Sequence, residues 1–274
     1  MNVARGVRER LRAVRGDRTL LAAAGRLKGA VALEPGGPSA LFAQRVGVPV
    51  YRRLASLDTL DYAERTLWTD APDATGPAIT VRRHLIAEAD RLADVADDSY
   101  DAVLASHVIE HLANPLGALA EWRRVVRPGG HLLLIVPHRD GTFDHRRPVT
   151  PIEHLEADAR RGTREDDLAH LEEVLALHDL ELDPGALSRE MFERRCRENV
   201  STRAMHHHVF TSRTVVEACA AAALEVVMLR PKQPCNIFCL CRVGGTGEAG
   251  LDQSPELSRI LETSPFPSDR NGDL

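Results

Sequence analysis

Residues 30–39 read Ala-Val-Ala-Leu-Glu-Pro-Gly-Gly-Pro-Ser, and this stretch decides the predicted fold. A short apolar run bounded by a Gly/Pro turn is typical of a buried strand. Helical character follows over residues 40–46. A glycine loop between a strand and a helix lets a ligand approach the backbone and offers free amides at the start of the helix. No Gly-Lys-Ser/Thr follows, so the loop is not a Walker phosphate loop. We therefore predict a ligand-binding loop of another kind.

Strand and helix patterns alternate over residues 30–137. A second strand is expected to end near Leu57 and Asp58, and a helix over residues 116–126 ends at a Pro-Gly-Gly stop signal. Further strands are predicted at residues 83–89, 102–105, 131–136, 224–229 and 236–243. The strand at residues 131–136 is too apolar to alternate, as expected for a strand buried on both faces of a parallel sheet. The pattern predicts an α/β fold, a Rossmann-like doubly wound sheet of about seven strands.

Segments of a different character surround and interrupt this alternation. Residues 138–210 are mostly helical in pattern and too long for an ordinary connection, so we expect a helical insertion that caps the substrate site. Arg-rich residues 1–29 are expected to form a helical lid, and residues 30–243 to form the catalytic domain. Residues 244–274 are rich in Gly, Pro, Ser and Asp, which predicts a disordered tail.

Composition narrows the class of protein and its partners. The 274 residues are 43% hydrophobic and 27% charged, so a buried core is expected. No apolar run of membrane-spanning length and no secretory signal pattern occurs, and the five Cys suggest a reducing, cytoplasmic setting. A net charge of −5 and an aromatic content of 4% argue against nucleic-acid binding. We expect a small-molecule substrate, with no nucleic-acid or membrane partner; the sequence assigns no oligomeric state.

Acidic residues follow successive predicted strands. Asp58 ends the second strand, where a carboxylate accepts hydrogen bonds from the two hydroxyls of a ribose; Asp61 is a close competitor for this role. Asp90 ends the third strand, within reach of an adenine amino group. Three carboxylates at neighbouring strand ends indicate a nucleoside-containing ligand.

The same region carries an ordered set of motifs. In chain order they are Glu34-x-Gly36, Asp58, Glu88 to Leu92, Ser99 to Asp101, Ser106 to Leu112, and Arg124 to Gly130. This set, over about residues 28–137, resembles the class I S-adenosylmethionine-dependent methyltransferases. Residues 137–150 and 206–210 look similar to a bacterial subgroup of methyltransferase type 11.

The resemblance implies S-adenosylmethionine as cofactor and methyl transfer to oxygen or nitrogen of a small polar metabolite. The loop residues Glu34, Gly36 and Gly37, with Ser39, would surround its methionine end, and Asp58 its ribose. The adenine would contact Asp90, Arg91 and Leu92, and the methyl group would face Ser106 and His107. No Asn/Asp-Pro-Pro-Tyr motif follows the fourth strand, which disfavours nucleobase or glutamine amides as acceptors.

Twelve histidines suggest the remaining chemistry. An acceptor hydroxyl or protonated amine needs a base, and we expect either His107 or His138, the latter oriented by Asp140. The residues expected to bind substrate are His145, Arg146, Arg147, His206 and His208.

Three alternatives remain open at this stage. The set His138, Asp140 and His208 has the composition of a two-His-one-carboxylate metal site, although a divalent metal is not favoured. It would belong to a metal-dependent enzyme that transfers no methyl group. A second alternative is an inactive scaffold that binds S-adenosylmethionine. The spacing of His107, Glu110 and His111 also fits a zinc-peptidase helix, which is the least favoured reading.

Overall fold

A computed structural model describes residues 17–43, 47–68, 79–183, 185–186, 188–244, 251 and 254–271. Within these residues, seven strands form one sheet in the order β3-β2-β1-β4-β5-β7-β6. The strands are β1 (Val31–Pro35), β2 (Ser56–Asp61), β3 (Val81–Ile86), β4 (Tyr100–Ser106), β5 (Val126–Pro137), β6 (Glu225–Lys232) and β7 (Asn236–Arg242). The predicted α/β class and doubly wound sheet are confirmed.

The first five strands are parallel, and β7 is antiparallel to both of its neighbours. The chain builds outward from β1 to β3 and then returns to place β4 on the other side of β1, with Ala32 beside Ala102. Ligands of open parallel sheets bind where the strand order reverses, outside the carboxyl ends of the strands. The topology therefore points to the ends of β1 and β4.

Helices cover both faces of the sheet. They are α1 (Arg18–Arg26), α2 (Ala40–Ala43), α3 (Pro115–Val125), α4 (Ile152–Arg161), α5 (Leu171–Leu177), α6 (Arg189–Arg197), α7 (Asn199–Thr202), α8 (Ser212–Ala221), α9 (Pro255–Glu262) and α10 (Pro267–Asn271). Asn114 caps α3 through a 2.9 Å hydrogen bond from the Gly117 amide, and Pro115 occupies its first turn, both common at helix starts. Trp122 of α3 is fully buried in the core on one face of the sheet. None of the helices in the described part of the chain has the length and apolarity to cross a membrane.

The described part of the predicted lid packs elsewhere. Residues 1–16 lie outside the described residues, but α1 buries Leu20 and Ala24 in the core on the opposite face of the sheet from α3. Asp17, at the start of α1, accepts a 2.9 Å hydrogen bond from Arg230 of β6. In the residues described, this helix is thus a layer of the core and not a cover over the ligand crevice.

The predicted disordered tail is wrong for residues 254–271. Here α9 and α10 fold back onto the domain, with Leu257, Leu261 and Phe266 buried. The spacing of Leu257 and Leu261 gives α9 one apolar side, which the polar composition of the segment as a whole conceals. Residues 245–250, 252–253 and 272–274 lie outside the described residues.

The segment 138–210 is helical, as predicted, and contains α4 to α7. It has a small apolar core of its own, which includes Val174, Phe192 and Met205. It contacts the domain through α4, which packs against α3 and α8. Its last residues return to the sheet, where Phe210 pairs with His138 just after β5.

Candidate active site at the carboxyl ends of the strands

A cavity of about 640 Å³ lies at the carboxyl ends of the parallel strands. Small-ligand sites span about 300–1,000 Å³, so this volume is typical of one. The turns after four strands contribute to its wall, with Gly36 after β1, Asp61 at the end of β2, Glu88 after β3 and Ser106 at the end of β4. The insertion supplies the opposite wall.

Glu34 shapes the glycine loop from behind. Its carboxylate is fully buried and bonds the Tyr51 hydroxyl at 2.7 and 2.9 Å and the Ser39 amide at 2.9 Å. Burial raises the pKa of Glu34 to about 8, although the hydrogen bonds from Tyr51 and Ser39 oppose this. A Cβ on Gly37 would lie 2.3 Å from the Glu34 side chain, so Gly37 is needed for this packing. Neither Glu34 nor Gly37 lines the cavity. The expectation that they contact the cofactor directly is therefore corrected: both residues position the loop.

Gly36 and Ser39 face the cavity. Gly36 has a φ of +69°, and a Cβ there would lie 3.1 Å from Val108, so both backbone and space favour glycine. The Gly36 amide donates to the Leu60 carbonyl at 2.8 Å, which brings the loop beside the end of β2. Ser39 Oγ donates to Ser106 Oγ at 3.1 Å across the reversal point. The cofactor roles of Gly36, Ser39 and Ser106 stay predictions.

Asp58 does not take the position expected of a ribose ligand. It lies within β2, is 1% exposed, and accepts hydrogen bonds from Arg82, Arg83 and Tyr100. Burial alone would raise its pKa, but the hydrogen bonds from the two arginines and Tyr100 lower it to about 2. Its acceptor atoms are therefore already used, and it does not line the cavity.

Asp61, the competitor of Asp58, ends β2 and lines the cavity. Burial raises the pKa of Asp61 to about 6, against the charge of His84. No described residue donates a hydrogen bond to its carboxylate. This carboxylate therefore has free acceptor atoms beside the cavity, as a ribose ligand needs.

The residues expected to contact the adenine also lie outside the cavity wall. Asp90 pairs with Arg91 at 3.9 Å and Leu92 is buried in the core; none of the three lines the cavity, whereas Glu88 does. The physical reason is that β3 covers Val81–Ile86 and ends three residues earlier than predicted. The β-branched residues at positions 79–81 were the signal for the earlier strand.

His107 lines the cavity just beyond β4 with a left-handed φ of +54°, unusual for a residue with a side chain. Its Nε2 lies 2.8 Å from Asn236 Oδ1, which assigns the proton to Nε2, and its Nδ1 lies 3.8 Å from Glu110 Oε1. The turn Ile109–His111 is a single 3-10 turn, so the helix that a zinc peptidase requires is not formed. The expected placement of His107 at the reaction centre stays a prediction.

Glu110, His111 and His206 form a polar group in the cavity wall that sequence reasoning did not assemble. Glu110 is 1% exposed, and neither carboxylate oxygen has a hydrogen-bond partner among the described residues; burial raises its pKa. Its Oε1 lies 3.9 Å from His111 Nε2. His206 Nδ1 lies 2.5 Å from Asp144, which raises the pKa of His206 against the effect of burial. The segment 206–208 returns to this wall only through the tertiary fold.

His138 and Asp140, the expected base and its orienting acid, both lie outside the cavity wall. His138 is fully buried, its Nε2 contacts Asp269 at 3.1 Å, and its Nδ1 accepts from the Asp140 amide. The Asp140 carboxylate accepts from the amide and hydroxyl of Ser268. His138 Nε2 and the Asp140 carboxylate therefore bind α10, His138 Nδ1 is used within its own turn, and neither residue lines the cavity. His138 and Asp140 also do not join His208 in a shared group of metal-ligating atoms.

The predicted basic substrate patch is also corrected. His145 and Arg146 both bind Asp179, at 2.9 and 2.8 Å, outside the cavity wall. Arg147 is 1% exposed and donates to Asp144, to Glu173 and to the carbonyls of residues 206 and 207, so it is a structural cation of the insertion. His208 is buried behind the wall, and His206 alone of this set lines the cavity.

Arg203 joins the insertion to two strand ends. Its guanidinium donates to Glu88 at 2.8 Å and lies 4.9 Å above the ring of Tyr62. The Tyr62 hydroxyl donates to the Ser201 carbonyl at 2.9 Å. All of Arg203, Glu88 and Tyr62 line the cavity. These contacts hold the insertion against the end of the cavity nearest β2 and β3.

Known proteins match this chain in the region that forms the strand ends. Residues 35–134 match a family model described as a methyltransferase domain. An uncharacterized methyltransferase of Mycobacterium bovis is 41% identical over 66 residues, 24% of this chain and 26% of that protein. An uncharacterized 37.1 kDa protein in a Streptomyces fradiae transposon is 46% identical over 50 residues, 18% of this chain and 14% of that protein. The matches thus span about a quarter or less of these relatives.

Solved structures similar to the chain include an S-adenosylmethionine dependent methyltransferase from Mesorhizobium loti, at 15% identity and a TM-score of 0.48, covering 81% of this chain and 95% of that one. Residues 35–134 thus match a methyltransferase domain in the same region that carries the ordered motifs.

Proposed function

We propose that this protein transfers a methyl group from S-adenosylmethionine to oxygen or nitrogen of a small polar metabolite. The observation that carries the proposal is one cavity with two different walls. Gly36, Asp61 and Glu88 lie at the strand ends, whereas Glu110 and His206 lie toward the insertion. A nucleoside cofactor suits the first wall, and a polar acceptor suits the second.

The residues at the strand ends fit the cofactor. The Asp61 carboxylate has free acceptor atoms, which the two hydroxyls of a ribose would supply with donors. Gly36 leaves the loop open where a Cβ would crowd Val108. Arg203 already pairs with Glu88, so Asp61 is the carboxylate of this wall that favours a cationic ligand, and the sulfonium cofactor is one.

When bound, the cofactor supplies an electrophilic methyl carbon: the acceptor lone pair forms the new bond as the carbon–sulfur bond breaks, and the acceptor proton goes to a base. Alignment of the acceptor is the main task of the protein in such a transfer. We assign proton acceptance to Nδ1 of His107, because Asn236 accepts the Nε2 proton. The Glu110 carboxylate beside it would stabilise the resulting imidazolium.

The volume of the cavity supports a small acceptor. At about 640 Å³ it lies within the range of small-ligand sites, which suits the cofactor together with a small metabolite. Trp68 and Phe143 add aromatic surface next to the polar group of Glu110 and His206, which suits a small acceptor with both a ring and a polar atom.

The test combines binding and turnover. Calorimetry with S-adenosylhomocysteine should give one site per chain, and labelled S-adenosylmethionine should transfer its methyl group to a component of a small-metabolite extract. His107→Gln should keep the cofactor affinity within about threefold and lose at least about a hundredfold in turnover, within the usual contribution of a general base. The matched control is His145→Ala, because His145 lies outside the cavity wall; this variant should keep its turnover.

Two results would reject parts of the proposal. Full turnover of His107→Gln would remove the base assignment. Cofactor binding by the wild type without transfer to any acceptor pool would favour a non-catalytic scaffold.

A further inference from the structure

The insertion holds a second group of converging side chains, outside the cavity. His154 and Asp158 lie one turn apart on the same side of α4. His170 immediately precedes α5, and His208 lies in the segment that returns to the sheet. Three separate stretches of the insertion therefore meet at one point.

The donor atoms of the four side chains lie close together. His154 Nε2 is 3.0 Å from His170 Nε2 and 3.1 Å from Asp158 Oδ2, and His208 Nε2 is 3.8 Å from Asp158 Oδ2. The ligand atoms of the three histidines all lie within 4.8 Å of one another. Their rings meet at 61° to 74°, so they are splayed around a centre and not stacked.

One carboxylate oxygen of Asp158 is free to accept a further ligand. The residue is 2% exposed; its Oδ1 accepts from Arg161 at 2.6 Å and from Thr163 at 2.9 Å. Its Oδ2 has no hydrogen-bond partner among the described residues. A bond between His154 and His170 would explain their own contact, and His208 Nε2 lies 3.5 Å from the Ala113 carbonyl. Asp158 Oδ2 and His208 Nδ1 are still left without a hydrogen-bond partner among the described residues. A buried carboxylate oxygen aimed at imidazole nitrogens calls for a cation.

We propose that His154, Asp158, His170 and His208 bind one Zn²⁺ ion. With zinc–nitrogen bonds of about 2.0–2.1 Å, a tetrahedral site has edges of about 3.3–3.4 Å, and the separations of 3.0, 3.1 and 3.8 Å lie on either side of this value. Imidazole and carboxylate are ligands that zinc accepts, and hydrogen bonds from Arg161 and Thr163 orient the carboxylate as outer-shell contacts do in metal sites. The His154 side chain is 34% exposed, which gives the ion an entry path.

Four protein donors make this a closed, structural site without an open position for substrate. The ion ties α4 to the start of α5 and to the stretch that carries both His206 and His208. Since His206 lines the cavity, zinc would hold one wall of the cavity in place. The site does not depend on the proposed methyl transfer.

The test measures zinc directly. Full-length protein purified without a polyhistidine tag and stripped with a chelator should take up one equivalent of Zn²⁺ by elemental analysis. Its midpoint of thermal unfolding should rise with free zinc, since an ion that binds only the folded state stabilises it. His170→Gln should lower the zinc affinity by at least a hundredfold. Thr163→Val keeps all four donors but removes one of the two hydrogen bonds to Asp158 Oδ1, and should lower the affinity by about 10- to 100-fold.

A matched control separates this site from the cavity. Glu110, His111 and His206 also converge, so Glu110→Gln serves as the control and should keep the full equivalent of zinc. Circular dichroism of each stripped variant checks that it is folded. The proposal is overturned if the wild type takes up no stoichiometric zinc, if a folded His170→Gln binds as tightly as the wild type, or if Glu110→Gln loses the ion instead.

Discussion

The assignment of the ribose to Asp61 makes a prediction for which a variant of Asp58 is the control. Asp61→Asn keeps the size of the side chain and removes its charge. Loss of one charge-assisted hydrogen bond costs about 1.5–3 kcal/mol, which corresponds to a Kd about 10- to 150-fold weaker. Calorimetry with S-adenosylhomocysteine measures this Kd for both variants. Asp58→Asn should leave the Kd within about threefold, because Asp58 is bonded to Arg82, Arg83 and Tyr100 and does not line the cavity.

The pH dependence of binding gives the same assignment a second readout. The pKa of Asp61 is raised to about 6 by burial, and donors from a bound ribose would lower it. Binding then favours the ionised carboxylate, so the wild-type affinity should fall by about tenfold per pH unit below about 6. Asp61→Asn should lack this component. A Kd for Asp61→Asn within threefold of the wild type, with the same pH profile, would refute the reasoning.

Asp58→Asn should act on stability instead. It weakens a buried acceptor shared by Tyr100 and two arginines, and we expect the free energy of unfolding to fall by about 1–3 kcal/mol in urea titrations. A weakened Kd in this variant, with unchanged stability, would reverse the roles of the two acids.

Two further predictions concern the glycine loop. Gly36→Ala and Gly129→Ala both place a side chain on a left-handed residue, so each should lower the free energy of unfolding by about 1–2 kcal/mol. Only Gly36→Ala, whose Cβ meets Val108 at 3.1 Å, should also weaken S-adenosylhomocysteine binding. Equal binding by both variants would count against the loop assignment. Glu34, whose pKa burial raises from 4.5 to about 8, favours the folded state in its protonated form. The wild type should therefore lose stability relative to Glu34→Gln as the pH rises from about 4.5 to about 8, in unfolding titrations at pH 5 and pH 8; parallel curves for the two proteins would contradict this.

The sheet was predictable from the sequence, because local patterns decide which segments become strands. The apolar runs in β4 and β5 have few polar positions, which suits only a strand covered on both faces. The Gly/Pro turn after β1 and the stop signal after α3 have equally local causes. The same patterns were enough to suggest the family, since the family motifs lie at strand ends.

The composition of the site depends on the residue at which each strand ends and on which segments of the insertion fold back to the strand ends. Only the tertiary structure decides both. Register with its neighbours extends β2 to Asp61 and ends β3 at Ile86, which places Asp61 and Glu88 at the cavity in place of Asp58 and Asp90. The partner of His138 is Asp269, 131 residues away, and His208 meets α4 across the insertion. A pattern within a short window records the periodicity of one segment, whereas a contact between distant segments is set by how the whole core packs.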